Sequence, residues 1–241
     1  MSHLLGDALL TCGAYRLRMK DRVKMPRIYT RAELLADTTI HIVGVVAALL
    51  AIPVVITLAA VWRDEAALIA AVSVYGATVL AMLCFSAFYN ISSVRRAGSK
   101  LVEVLRRLDH GAIYLKIAGT YTPYAVITGG PLGRWLLVGI WGGAIIGFLG
   151  KLIAPYRWER LSILLYLALG WAVVLVFGPV SESITQATAI LIIVGGCLYS
   201  VGVVFHLWER LPFQNAIWHL FVLVATFVFY SALLVEISIG A

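Results

Sequence analysis

The sequence predicts an all-α integral membrane protein: a seven-transmembrane-helix bundle with its N-terminus in the cytoplasm and its C-terminus outside. Three observations predict it. Of 241 residues, 62% are hydrophobic and 13% are charged, with a mean hydropathy of +0.96; a soluble domain carries about 25% charge. Apolar runs of the roughly 20 residues needed to cross a bilayer recur along the whole chain. Basic residues also crowd into alternate connections between those runs.

The runs occupy residues 41–62, 67–88, 111–128, 135–150, 161–177, 184–205 and 217–239. Backbone in lipid must satisfy its own hydrogen bonds, so these are helices, and the two-residue alternation of an outer-membrane barrel is absent. The first run opens on His41, and the second ends in SAFYN, which holds Ser86 and Asn90. The third follows Asp109 and contains Lys116; the seventh follows Asn215 and contains His219 near its start. Trp62, Trp135 and Trp208 stand near span ends and read as interfacial anchors.

Charge orients the bundle. Arg16, Arg18, Lys20, Arg22, Lys24, Arg27 and Arg31 precede the first span, and Arg95, Arg96, Lys100, Arg106 and Arg107 lie between the second and third. Lys151, Arg157 and Arg160 follow the fourth, and Arg210 precedes the seventh. The opposite connections hold only Arg63 and Arg134. This asymmetry places the N-terminus inside. The net charge of +7 therefore reports topology and contact with anionic lipid headgroups rather than a nucleic-acid partner. Residues 1–38 read as a basic cytoplasmic segment without signal-peptide features, with 22–35 lying along the interface as a helix. Residues 39–241 read as the membrane domain. Cys12, Cys84 and Cys197 have no motif spacing and read as apolar thiols.

Ionisable groups inside spans mark functional candidates. With the orientation above, His41, Ser86, Asn90, Asp109, Asn215 and His219 fall near one level, toward the cytoplasmic leaflet. Ser86 with Asn90, and Asn215 with His219, are four apart and share helix faces; Asp109 and Lys116 are seven apart and share another. A polar pocket opening to the cytoplasm accounts for them together. Simpler readings stand beside it: Asn215 as a cap for the last helix, Asp109 as a partner of a helix dipole, Lys116 snorkelling to headgroups. His206 and Glu236, near span ends, read as interfacial.

These residues resemble a family. LDHGAIYLKIAGTYTPY at 108–124 is very similar to the third-span signature of the hemolysin III proteins, the bacterial branch of the progestin and adipoQ receptor superfamily. NAIWHLFVL at 215–223, SAFYN at 86–90 and AELLADTTIHIVGV at 32–45 match further signatures in the same order, so the resemblance covers nearly all of 30–240. It implies a multi-pass protein of the bacterial inner membrane with a zinc site near the cytoplasmic face. It also implies Ser86 and Asp109 as the serine and the water-holding aspartate, and His219, Asn215 and Asn90 at the three ligand positions. All three positions are histidine in the family, and two of them are asparagine here; a further family histidine is Phe229 here. Zinc takes imidazole, thiolate or carboxylate, whereas an asparagine carbonyl is a hard neutral donor, so weakened zinc binding is expected. Lys116 is expected to compensate Asp109, although two turns separate them by about 10.5 Å of rise.

Two function classes follow from the resemblance. One is zinc-dependent hydrolysis of lipid amides, in the manner of a ceramidase. The other is a lipid-binding or receptor-like protein that keeps the pocket without the chemistry. A pore-forming cytolysin fits less well, because conduction needs polar groups through the full bilayer depth and polarity here is confined to one end. A retinal-type photoreceptor in its usual form is excluded by the lack of a lysine in the seventh span.

Overall fold

The computed structural model describes residues 29–95, 98–154 and 159–239. The chain runs α1 (Arg31–Trp62), α2 (Ala66–Arg95), α3 (Lys100–Thr128), α4 (Gly130–Ile153) and α5 (Glu159–Gly170), then a 3-10 turn (Ala172–Val176). It continues through α6 (Phe177–Ser183), α7 (Gln186–Leu207) and α8 (Gln214–Ile239). Among the described residues, six segments are long and apolar enough to cross a membrane: 31–62, 66–94, 130–153, 161–183, 186–207 and 214–239. The expected count was seven. The 29-residue α3 falls outside the apolar set because its first half carries Lys100, Glu103, Arg106, Arg107 and Asp109, while Lys116 and the Tyr, Thr, Gly and Pro residues of 111–128 dilute the hydropathy of its second half.

The packing explains how α3 tolerates that polarity. It lies against α2 and α4 along its length and also touches α5 and α6, so its residues from Gly111 to Ala125 are largely buried. Gly119 sets the closeness of α2: a Cβ there would stand 1.9 Å from Thr78 Oγ1. α8 packs against both α7 and α1, which joins the two ends of the bundle. Apolar side chains face outward instead, Ile146 at 74% and Leu175 at 88% exposure, the surface of a protein whose solvent is lipid.

Helices outrun the apolar stretches at four places. α1 starts at Arg31 rather than at 41, α2 continues past Phe88 to Arg95, α3 begins at Lys100, and α8 begins at Gln214. Hydropathy marks the portion immersed in hydrocarbon, while helical hydrogen bonding continues beyond it. Of the interfacial stretch expected over 22–35, residues 22–28 lie outside the described residues; 31–35 are the first turns of α1, and the 38/39 boundary falls within that same helix. Local chemistry fixes other boundaries. Ser99 caps α3 by accepting from Val102 N at 3.3 Å, and Thr185 caps α7 by accepting from Thr188 N at 3.3 Å. Gly129 and Gly130, at φ +64° and +56°, make the reversal into α4.

The span expected over 161–177 is broken. α5 stops at Gly170, and a 3-10 turn precedes α6. The Tyr121 hydroxyl of α3 donates to Gly170 O at 2.7 Å and accepts from Val173 N at 2.9 Å. Side-chain replacement of lost backbone partners is what permits a break at membrane depth. Glu236, expected at the interface, is 2% exposed and accepts from Thr185 N at 2.9 Å.

Candidate functional site

The polar side chains of α1, α2, α3 and α8 meet at one end of the bundle. α8 is seated there by its own turn: Phe213 adopts φ +57°, and its N–H donates to the buried carboxylate of Glu33 on α1 at 2.9 Å. Gln214 Nε2 donates to His206 O at 2.6 Å. This junction sets the register of His219 against α1.

Asp37 and His41, four apart, share the inward face of α1 and are 7% and 4% exposed. His219 Nδ1 lies 2.6 Å from Asp37 Oδ1, and the His41 and His219 rings meet edge-on with centroids 4.3 Å apart. His41 Nδ1 is 2.8 Å from the Asp37 carbonyl oxygen. A carbonyl only accepts, so Nδ1 is the donor and Nε2 of the neutral ring carries the lone pair. That lone pair faces Ser86 Oγ at 3.2 Å and Asn90 Nδ2 at 3.4 Å.

Ser86 also faces the carboxylate of Asp109 on α3, which lies within the electrostatic reach of His219 and Arg106. Asn90 Nδ2 donates to Ser86 O at 2.9 Å. Asn215 Nδ2 donates to Asn90 Oδ1 at 3.3 Å and reaches Asp37 Oδ2 at 3.5 Å. Asn215 is therefore turned into the bundle from the first turn of α8 rather than capping it.

His41, Ser86, Asn90, Asp109, Asn215 and His219 thus converge, as their shared depth predicts. Lys116 does not join them. It is 3% exposed, with Nζ 4.2 Å from the Tyr199 ring centroid and 4.9 Å from that of Phe229, and it makes no ion pair with Asp109. The compensation expected between Lys116 and Asp109 is replaced by an aromatic seat for the cation. Nor does Lys116 snorkel, since burial between α3, α7 and α8 holds it inside.

Sequence reasoning missed Asp37. Its signal was the D-x-x-x-H spacing inside AELLADTTIHIVGV, hidden because the first span was begun at His41, four residues late. Asp37, His41 and His219 form a possible metal-ligand group, with one ligand atom from each lying within 4.8 Å of the others. Two imidazoles and a carboxylate are zinc-compatible donors. Asn90 and Asn215 fit that role less well, because Asn90 Oδ1 accepts from Asn215 Nδ2 and both amides direct N–H groups at the Asp/His group.

One turn below this cluster, a shallow apolar groove runs between α1, α2 and α8. It is lined by Gly44, Ala48, Tyr75, Leu83, Leu223 and Phe227 among others. Gly44 follows His41, Leu83 precedes Ser86 and Leu223 follows His219, so the groove continues directly from the polar site.

Comparison with known proteins matches residues 31–230 to the family described as Haemolysin-III related. The chain is similar to hemolysin-3 of Bacillus cereus, 41% identical over 194 residues that cover 79% of this chain and 85% of that protein. It is similar to a hemolysin-3 homolog of Bacillus subtilis, 35% identical over 197 residues, 81% of this chain and 90% of that one. It also resembles the human monocyte to macrophage differentiation factor, 30% identical over 164 residues, 66% of this chain and 67% of that protein.

Proposed function

This chain belongs to the Haemolysin-III related family, and from that premise we propose that it is a seven-crossing membrane hydrolase acting on lipid amides. In this reading α3 is the third crossing, the N-terminus is cytoplasmic, and the site faces the cytoplasm from the bacterial inner membrane. The observation that carries the reading is the convergence of Asp37, His41, Ser86, Asn90, Asp109, Asn215 and His219, from four helices, at the head of an apolar groove. Intramembrane polar groups are costly, and a cluster from separated parts of the chain is kept for chemistry or binding.

The parts divide the work. The shallow groove offers apolar contact to an acyl chain that otherwise lies in the surrounding lipid, and its continuity with the polar cluster brings the scissile amide to the boundary between the two. Asp109 accepts the proton of the attacking water and returns it to the leaving amine. Ser86 stands between Asp109 and His41 Nε2, and its single hydroxyl proton serves one of these two acceptors at a time. Asn90 and Asn215 direct their amide N–H groups at His41 and Asp37 and so hold the cluster in place. A divalent metal at this site would supply Lewis acidity and lower the pKa of bound water.

The second reading, a lipid-binding protein without turnover, is favoured by the mutual hydrogen bond between Asn90 and Asn215 at two family ligand positions. A cytolytic pore is disfavoured because the groove is apolar and the polar cluster stays at one end. Purified protein in lipid nanodiscs, given a fluorescent N-acyl sphingoid amide, decides between the readings. Fatty-acid release that disappears in Asp109→Asn supports hydrolysis. Saturable binding without release supports the second reading and removes the first.

A further inference from the structure

We propose that Asp37, His41 and His219 constitute the metal centre of this protein, a two-imidazole, one-carboxylate site for a divalent cation of the zinc class, shared between α1 and α8. The assignment rests on the reading of this cluster as the working site, yet it is tested by binding rather than by turnover.

Four features of the geometry point to it. The three ligand atoms already lie within 4.8 Å of one another, all of them on side chains that are largely buried. The His41 tautomer is fixed by the bond from Nδ1 to the Asp37 carbonyl, which is how backbone oxygens prepare a ligating histidine, and a metal at Nε2 would replace its present contacts with Ser86 and Asn90. Asn215 and Asn90 reach the carboxylate and the imidazole from outside the triad, at 3.5 and 3.4 Å, in the manner of groups that hold ligands rather than act as them. Asp37 Oδ1 and His219 Nδ1, 2.6 Å apart, also converge from α1 and α8 on one point where a cation would sit.

The adjustment needed is small. Asp37 Oδ1 and His219 Nδ1 are 2.6 Å apart. Bonds of about 2.0–2.1 Å in tetrahedral geometry separate neighbouring ligand atoms by about 3.3 Å, so seating the metal between this pair requires the two atoms to part by less than about 1 Å. Three protein ligands leave one position open, the arrangement of catalytic rather than structural zinc sites. Ser86, 3.2 Å from His41 Nε2 and beside Asp109, supplies a polar group from α2. The donor set favours zinc, cobalt or nickel over calcium and magnesium, which prefer all-oxygen shells.

The experiment uses the full-length protein, stripped of metal with chelator and reconstituted in nanodiscs. Co²⁺ is titrated while the intense visible bands of tetrahedral coordination are recorded, and Zn²⁺ is then added in competition. The expected result is one Co²⁺ per chain, displaced by Zn²⁺, with affinity lowered more than tenfold in Asp37→Asn and in His41→Gln and unchanged in Lys116→Met. Thermal melting establishes that each variant is folded, and Asp37→His serves as a second variant that restores a ligand and recovers binding. Absence of Co²⁺ and Zn²⁺ binding by the wild type overturns the assignment. So does wild-type affinity in folded Asp37→Asn and His41→Gln. Metal binding without amide hydrolysis leaves this site standing while removing the proposed activity; hydrolysis by a protein that binds neither Co²⁺ nor Zn²⁺ does the reverse.

Discussion

His219 Nδ1 and Asp37 Oδ1 stand 2.6 Å apart, although 182 residues separate them along the chain. The contact joins the first helix to the last, and Asn215 adds its amide to the same carboxylate from one turn earlier on α8. Removing one partner of a buried pair leaves the other desolvated and unsatisfied. Asp37→Ala is therefore expected to lower stability by about 3 kcal/mol, while Asp37→Asn, which keeps a hydrogen-bonding side chain, loses less. Thermal or denaturant unfolding in detergent measures both, and equal losses would contradict the pairing.

Asn90 and Asn215 stand beside the proposed ligands and at the family's ligand positions. The double substitution Asn90→His, Asn215→His adds two imidazoles to a site that already holds two. Zinc affinity is expected to rise at least tenfold, on the order of the effects that shell residues exert, as read by competition against a chromophoric chelator. An unchanged affinity would mean that these positions do not face the metal.

Lys116 sits over Tyr199 and Phe229 with no carboxylate partner among the described residues. Exchange of a buried charge for an apolar side chain of similar size is commonly neutral, or stabilising by about 1–4 kcal/mol. Lys116→Met is expected to raise the melting temperature and leave amide hydrolysis intact, since Lys116 touches none of the site residues. A fall in turnover without loss of fold would restore the coupling to Asp109 that the sequence suggested.

Tyr121 satisfies two backbone groups at the break between α5 and α6. Tyr121→Phe leaves Gly170 O and Val173 N without that hydroxyl, at a cost of about 1–3 kcal/mol for each buried group. The expected signature is faster amide exchange confined to 170–176, seen by mass spectrometry. Unchanged protection there would show that the turn holds without Tyr121.

The helical bundle was legible because hydrocarbon imposes one rule on every span, and six apolar segments obey it. The third did not, because α3 is shielded by α2 and α4 rather than by its own composition. The level of the site was legible from charge asymmetry, which brought His41, Ser86, Asn90, Asp109, Asn215 and His219 to one depth. Asp37 was not, since hydropathy begins a span where apolar residues begin, and the functional face of α1 starts a turn earlier. The break at Gly170 left no strong mark either: its cause is a hydroxyl from Tyr121, 49 residues away in sequence.

The polarity of α3 also bears on how the chain is made. A lysine or aspartate at the centre of a lone helix opposes insertion by about 2.5–3.5 kcal/mol, and α3 carries Lys116 in its buried stretch and Asp109 just before it. Its shelter comes from α2, made before it, and α4, made after it. As a crossing, α3 is thus expected to wait at the translocon for α4 and to enter the bilayer as one of three helices rather than alone. A ribosome stalled before α4 would leave it accessible to water-soluble thiol reagents at an introduced cysteine, and synthesis through residue 153 would close that access.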